Sequence, residues 1–271
     1  MESPRLPPVR CSRVLQRIAA VLLVGTAAIA PAPRLNALED ALALRDRNLQ
    51  ATAALFLRGE STPLGTGVLV ASDEVLTCEH VTRVHAELPE RVDPTQLEVA
   101  FAWHGADDAS PRVPVIAYRD LGPDLDATVL LLASPVLQAP VPIVHASAHE
   151  GQTLYIAHHA RGAPLEVTRP TRVLFPYRIS SEMARALPSR VRTSYRPHGE
   201  DFVFEGPRWG FHPTIGLAFD APPGSSGAPV FDAATHELVG IVYAHSRYRR
   251  SRDPWLSHGA ALPVEVLPLM R

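Results

Sequence analysis

Apolar and polar positions along this chain fall into two textures. Leu38 to about Gln50, LEDALALRDRNLQ, spaces its apolar residues between charges at helical intervals, which predicts one short helix. From Thr52 onward short β-branched and aliphatic runs take over: TAALFLRG, GTGVLVAS, EVLTCEH, LEVAFAW, RVPVIAYR, ATVLLLAS and TLYIAHH. LEVTRPTRVLF, IGLAFDA, APVFDA, ELVGIVYAH and a closing GAALPVEVL follow. Turn residues separate them, among them Ser72-Asp73, Gly105, Gly122-Pro123, Gly151 and Gly162. Short strands at regular spacing predict an all-β sandwich or barrel. The stretch from Tyr177 to Pro213 is rich in Arg, Ser and Pro, and reads as a long loop or an insertion.

The N-terminus differs from both textures. Arg5, Arg10, Arg13 and Arg17 face a single acid, Glu2, and an apolar run follows from Ile18 to Ala30. That order is the basic and apolar regions of a secretory signal. The run is short for a membrane span, which needs about 20 residues. Residues 1–37 are therefore expected to be an export signal, removed between Pro31 and Leu38, making the protein secreted or periplasmic. The alternative is an uncleaved anchor formed by residues 18–30.

Composition narrows the picture further. The 271 residues include 27 prolines, which oppose long helices, and a net charge of −2, which points to neither nucleic acid nor an anionic membrane surface. Two cysteines, Cys11 and Cys78, argue against a disulfide framework, and no Cys/His spacing fits a structural zinc site. His145 and His149 stand four apart but lack a helical context for a metal. No metal or cofactor is expected.

Three segments carry chemistry: Val75-Leu76-Thr77-Cys78-Glu79-His80-Val81, Asp124-Leu125-Asp126-Ala127-Thr128-Val129, and Pro223-Gly224-Ser225-Ser226-Gly227-Ala228-Pro229. Acyl transfer from an amide needs a hydroxyl activated by a histidine and a carboxylate that orients that histidine. It also needs N–H donors aimed at the tetrahedral oxyanion. A Gly-x-Ser-Gly turn meets the last need, because its glycines let the N–H groups of Gly224 and Ser226 converge. Asp124 and Asp120 compete with Asp126 for the carboxylate role; Asp126 is favoured because the apolar run from Val129 starts three residues on.

These segments resemble the histidine, aspartate and serine boxes of the trypsin-like serine proteases, in that chain order. Within the family, PGSSGAPVF followed by ELVGI, together with LYIAHHARGAP, is similar to the bacterial glutamyl-endopeptidase-like branch. The resemblance implies two antiparallel six-stranded β-barrels, residues 38–145 and 146–271, with a short C-terminal helix and the active cleft between them. It implies a serine endopeptidase acting on peptide or protein substrates through His80, Asp126 and Ser226, with no nucleic-acid partner and no stable membrane partner unless the N-terminal segment is retained. Departures from the family pattern are Glu79 before the histidine and Ser225 where animal enzymes often carry an aspartate that pairs with a newly cut N-terminus. No activation site of the animal type is present.

For the substrate pocket, Asp220 lies six residues before Ser226, where enzymes that cut after arginine or lysine place an acid. The glutamate-specific branch instead uses a threonine and a histidine at positions that here hold Ala221 and Val242 or Tyr243. His245 replaces that histidine only if the strand register slips. The expected preference is for basic or small residues over glutamate. The rival readings are a non-catalytic binding protein of the same fold and an esterase; the α/β-hydrolase form of the latter lacks its second glycine at Ala228 and has no βαβ alternation.

Overall fold

The computed structural model describes residues 33–83, 90–123, 125–143, 147–186, 195–207, 211–245 and 259–269. The apolar run at 18–30, Cys11, Asp124 and His145 lie outside the described residues. Contacts divide the chain into residues 1–40 and a body of residues 41–271. A helix, α1 (Pro33–Gln50), ends in that body, starting five residues before the predicted one. Among the described residues no helix is long and apolar enough to cross a membrane.

Six strands form the first barrel: β1 (Thr52–Leu57), β2 (Gly65–Ala71), β3 (Glu74–Thr77), β4 (Leu97–Phe101), β5 (Val113–Asp120) and β6 (Thr128–Leu132). They close in the order β1-β2-β3-β6-β5-β4, all antiparallel. The second barrel uses β7 (Thr153–His158), β9 (Thr171–Phe175), β14 (Ile215–Leu217), β15 (Pro229–Asp232), β16 (Leu238–His245) and β17 (Gly259–Pro263). Its order is β15-β16-β17-β14-β9-β7, and pairing of β15 with β7 closes the ring. A two-residue strand, β8 (Glu166–Val167), is appended to β7. This is the all-β, two-barrel architecture expected from the sequence. The C-terminal helix is a single 3₁₀ turn, Val264–Val266, because Pro263 and Pro268 leave no room for more.

One apolar cluster runs through both barrels. It joins Leu55, Leu69, Leu76, Val99 and Leu130 of the first to Tyr155, Phe231, Ile241 and Leu262 of the second. Continuity of the core across the junction leaves the two barrels little freedom to move against each other.

The segment read from sequence as a loop or insertion is a small sheet with its own apolar cluster. β10 (Arg178–Ser180), α2 (Ser181–Ala186), β11 (Tyr195–His198), β12 (Asp201–Pro207) and β13 (Phe211–Pro213) fill it, in the order β10-β12-β11 with β13 on β12. Phe175, Ile179, Ala184, Tyr195 and Phe204 pack together there. The strands pair with one another and not with a barrel, so their local polarity hid them.

Candidate active site

The register of two neighbouring strands assembles half of the site. Thr77, last in β3, stands opposite Thr128, first in β6. The chain leaving β3 therefore runs beside the chain entering β6. After β3 a 3₁₀ turn, Glu79–Thr82, carries His80; just before β6 comes Asp126. The His80 backbone N–H donates to Asp126 Oδ1 at 3.0 Å, and Nδ1–H donates to Oδ2 at 2.6 Å. Asp126 is 6% exposed. Burial alone would raise its pKa; the hydrogen bonds and charge of His80 outweigh burial and hold the carboxyl below its ordinary value. Asp120, the rival carboxylate, ends β5 with an exposed side chain bonded to Arg91.

With Nδ1 donating to the carboxylate, Nε2 of His80 is left as an acceptor. Ser226 Oγ stands 2.8 Å from it. Ser226 comes from the turn between β14 and β15, in the other barrel. Gly224 and Gly227 of that turn have φ of +87° and +81°, a conformation that costs an L-residue about 1–2 kcal/mol. A Cβ on Gly224 would lie 2.6 Å from the His159 carbonyl oxygen, and one on Gly227 would collide with the Thr66 carbonyl. The Ser225 N–H donates to Pro222 O at 3.1 Å and the Gly227 N–H to Val242 O at 2.7 Å. The N–H groups of Gly224 and Ser226 donate to no other backbone carbonyl among the described residues.

Sequence reasoning missed Thr66, which ties the turn to the first barrel. Its N–H donates to Ser226 O at 3.0 Å, and its Oγ1 donates to Gly224 O at 3.0 Å while accepting the His159 N–H at 3.0 Å. The available signal was a hydroxyl between two glycines, Gly65-Thr66-Gly67, where the chains pack too closely for larger neighbours.

The sequence pattern that defines the trypsin-like peptidase domain matches residues 65–241. The chain belongs to the trypsin-like peptidase family. Among solved structures it is similar to the Rv3671c protease of M. tuberculosis in its active form, at 16% identity over 81% of this chain and 78% of that one, TM-score 0.53. It is likewise similar to the MamO protease domain of Magnetospirillum magneticum, at 15% identity over 82% and 96% with TM-score 0.53. Mouse neuropsin matches at 16% over 81% and 91%, TM-score 0.52. At such identities these likenesses speak for the fold. No curated protein matches the chain in sequence. As a family member the protein is a serine-type endopeptidase of peptide or protein substrates.

The three residues expected from the sequence at the substrate pocket lie in different surroundings. Asp220 is exposed on the segment that follows β14. Tyr243 is 1% exposed, with its hydroxyl 2.6 Å from Thr214 Oγ1, so its ring belongs to the interior and not to an open pocket. β16 does shift register against β17 between Val242 and Ala244, leaving His245 opposite Gly259; the His245 side chain lies outside the described residues.

Cys78, His80 and Asp126 form a group whose potential metal-ligand atoms lie within 4.8 Å of one another. Their donors are committed elsewhere: the buried Cys78 thiol donates to Val242 O at 3.2 Å, and His80 Nδ1–H to Asp126. A metal there would have to displace the histidine–carboxylate bond. Glu79 accepts from Arg83 and, at 3.0 Å, from Arg91 Nε; Arg91 Nη1 also donates to Asp120 at 2.6 Å. These pairs brace the turn that bears His80.

Proposed function

We propose that this peptidase cleaves peptide bonds through Ser226 as nucleophile, His80 as general base and acid, and Asp126 as the carboxylate that orients and stabilises the imidazole. What carries the reading is the unbroken hydrogen-bond chain from the Asp126 carboxylate through His80 to Ser226 Oγ, spanning both barrels. His80 Nε2 takes the Ser226 proton as Oγ attacks the carbonyl carbon. The oxyanion receives the N–H groups of Gly224 and Ser226, and His80 then protonates the departing amine. Water attacks the resulting ester by the same route in reverse and regenerates Ser226. Purified protein should label with a fluorophosphonate probe and hydrolyse peptides, and Ser226→Ala should lose both, by about 10⁴-fold or more in kcat. An active Ser226→Ala beside a silent Ser225→Ala would overturn the assignment of the nucleophile.

Basic or small residues are the preferred side chains before the cleaved bond, in this reading. Val242 is buried and apolar, and the Tyr243 ring is interior, so neither offers a positive charge to a substrate carboxylate. A positional-scanning library showing dominant cleavage after glutamate would contradict this. Residues 1–37 act as the export signal, and N-terminal sequencing of the native protein should begin between Pro31 and Leu38. Full-length protein in membranes would favour the anchor instead.

A further inference from the structure

Ser225, the neighbour of the proposed nucleophile, is fully buried, and its Oγ lies 3.0 Å from Nδ1 of His158. His158 closes β7 and is itself 5% exposed, with Phe219 edge-on to its ring at 5.4 Å between centroids. Burial lowers the His158 pKa and outweighs the opposite pull of Glu166 across the strand pair. The next residues hold the same turn. Arg161 N–H donates to Pro223 O at 2.6 Å. Carbonyl and N–H of a trans peptide point in opposite directions, so holding the Pro223 carbonyl aims the Gly224 N–H away from Arg161. His159 N–H reaches Gly224 O through Thr66 Oγ1, at 3.0 Å for each bond. The segment His158–Arg161 thus engages Pro223, Gly224 and Ser225 in succession.

A turn could instead be ordered by insertion of a terminal ammonium. That would need a buried carboxylate beside the nucleophile. Among the described residues the buried polar and charged side chains include one carboxylate, Asp126, and it is bonded to His80. Ser225 offers no charge, and its hydroxyl is already met by His158.

We propose that His158, acting through Ser225, is a positioning residue that locks the Pro223–Ser226 turn with the Gly224 and Ser226 N–H groups presented to the oxyanion, so that the chain is competent without N-terminal cleavage. This rests on the function proposed above. The test compares the full chain with Ser225→Ala, His158→Leu and His158→Asn. The asparagine places a side-chain polar atom where Nδ1 stands. Ser225→Ala and His158→Leu should lower kcat on a peptide amide by about 10- to 100-fold, short of full loss of a donor, with KM changed by less than about threefold. Affinity for a peptide boronate, whose tetrahedral oxygen needs the same N–H groups, should fall in parallel, and His158→Asn should restore most of kcat. An N-terminal extension of the chain should leave kcat within about twofold of the original, since no terminal amine takes part.

Wild-type kcat in Ser225→Ala would overturn the lock. So would parallel loss of kcat and substrate binding without rescue by asparagine. Activity that appears only after trimming to a defined N-terminal residue would overturn the independence from cleavage. The parallel Ser226→Ala protein separates the two readings: if it is active, the nucleophile assignment fails; if it is silent while Ser225→Ala behaves as wild type, only the lock fails. Ser225→Ala removes one oxygen and leaves the turn's glycines and backbone bonds in place, so it stays informative where His158→Leu does not fold.

Discussion

The two barrels contribute to one site by different physical means. The first supplies side chains, and it does so through one strand pairing. Thr77 opposite Thr128 brings His80 and Asp126 together, because each sits within a few residues of its end of that pair. The second barrel supplies a turn whose backbone matters as much as its side chain. That turn depends on two residues with positive φ and on contacts from β7 and from Thr66 of the other barrel. A side-chain pair set by register tolerates changes around it as long as the ladder holds. A backbone arrangement pinned by close approach fails when a single methyl intrudes.

That contrast can be tested by damaging each half. Asp126→Asn should have the largest effect. The carboxylate accepts both the His80 backbone N–H and Nδ1–H, whereas an amide offers only one acceptor atom, so the favoured imidazole tautomer reverses. The kcat should fall by about 10⁴-fold with the fold retained, measured by steady-state hydrolysis and circular dichroism. A loss under tenfold would mean that Asp126 is not the orienting group.

Next comes Gly227→Ala in the second half. It combines a positive φ with collision against the Thr66 carbonyl and Thr77 Oγ1. Stability should drop by about 2–5 kcal/mol, with activity lost alongside, as read by denaturant unfolding and peptide hydrolysis. Unchanged stability would show that the turn gives way more easily than its contacts indicate.

Smaller still is the acid response at the barrel junction. His159 is fully buried near Trp103, its Nδ1–H donating to Ala163 O at 3.2 Å, and burial lowers its pKa to about 4. The unfolded chain binds this proton near pH 6.5 while the folded one does not until about pH 4. Stability is therefore complete above about pH 6.5 and declines as pH falls toward 4. Removing this group with His159→Phe should flatten that decline by about 2–3 kcal/mol. Urea midpoints at pH 7 and pH 4.5 measure it; an identical slope in the variant would refute the assignment. His158 and His236 are also shifted down, by burial first, and leave a residual slope.

The smallest effect belongs to Glu79→Gln, which loosens the arginine bracing beneath His80. These pairs are partly exposed, so a stability loss of about 1 kcal/mol or less is expected, with kcat changed by only a few-fold. A large fall in kcat at constant stability would promote Glu79 to a positioning role.

Much of this was legible in the order of residues. Alternating and β-branched runs separated by turn residues predict the barrel strands because their periodicity is local. Pro223 to Pro229 announces its turn because glycine at two positions has a backbone reason. Helix α1 was located by its spacing, although its start was not, since capping signals there are weak. Other features escaped because their causes are not local. The Tyr177–Pro213 sheet buries Phe175, Tyr195 and Phe204 against each other only once its strands pair. Tyr243 could be named as a pocket residue until the fold turned its ring inward onto Thr214.

What the sequence alone determined, then, was the class of fold, the three boxes and the identities of the groups they carry, because each rests on periodicity or on a residue's own chemistry. Only the tertiary structure decided that Asp126 and not Asp120 meets His80, that Thr66 reaches across to the Ser226 turn, and that Ser225 is bonded to a histidine 67 residues away. Those choices depend on strand register and on the junction of two barrels, where residues far apart in the chain are forced into hydrogen-bond distance by burial of a shared apolar core.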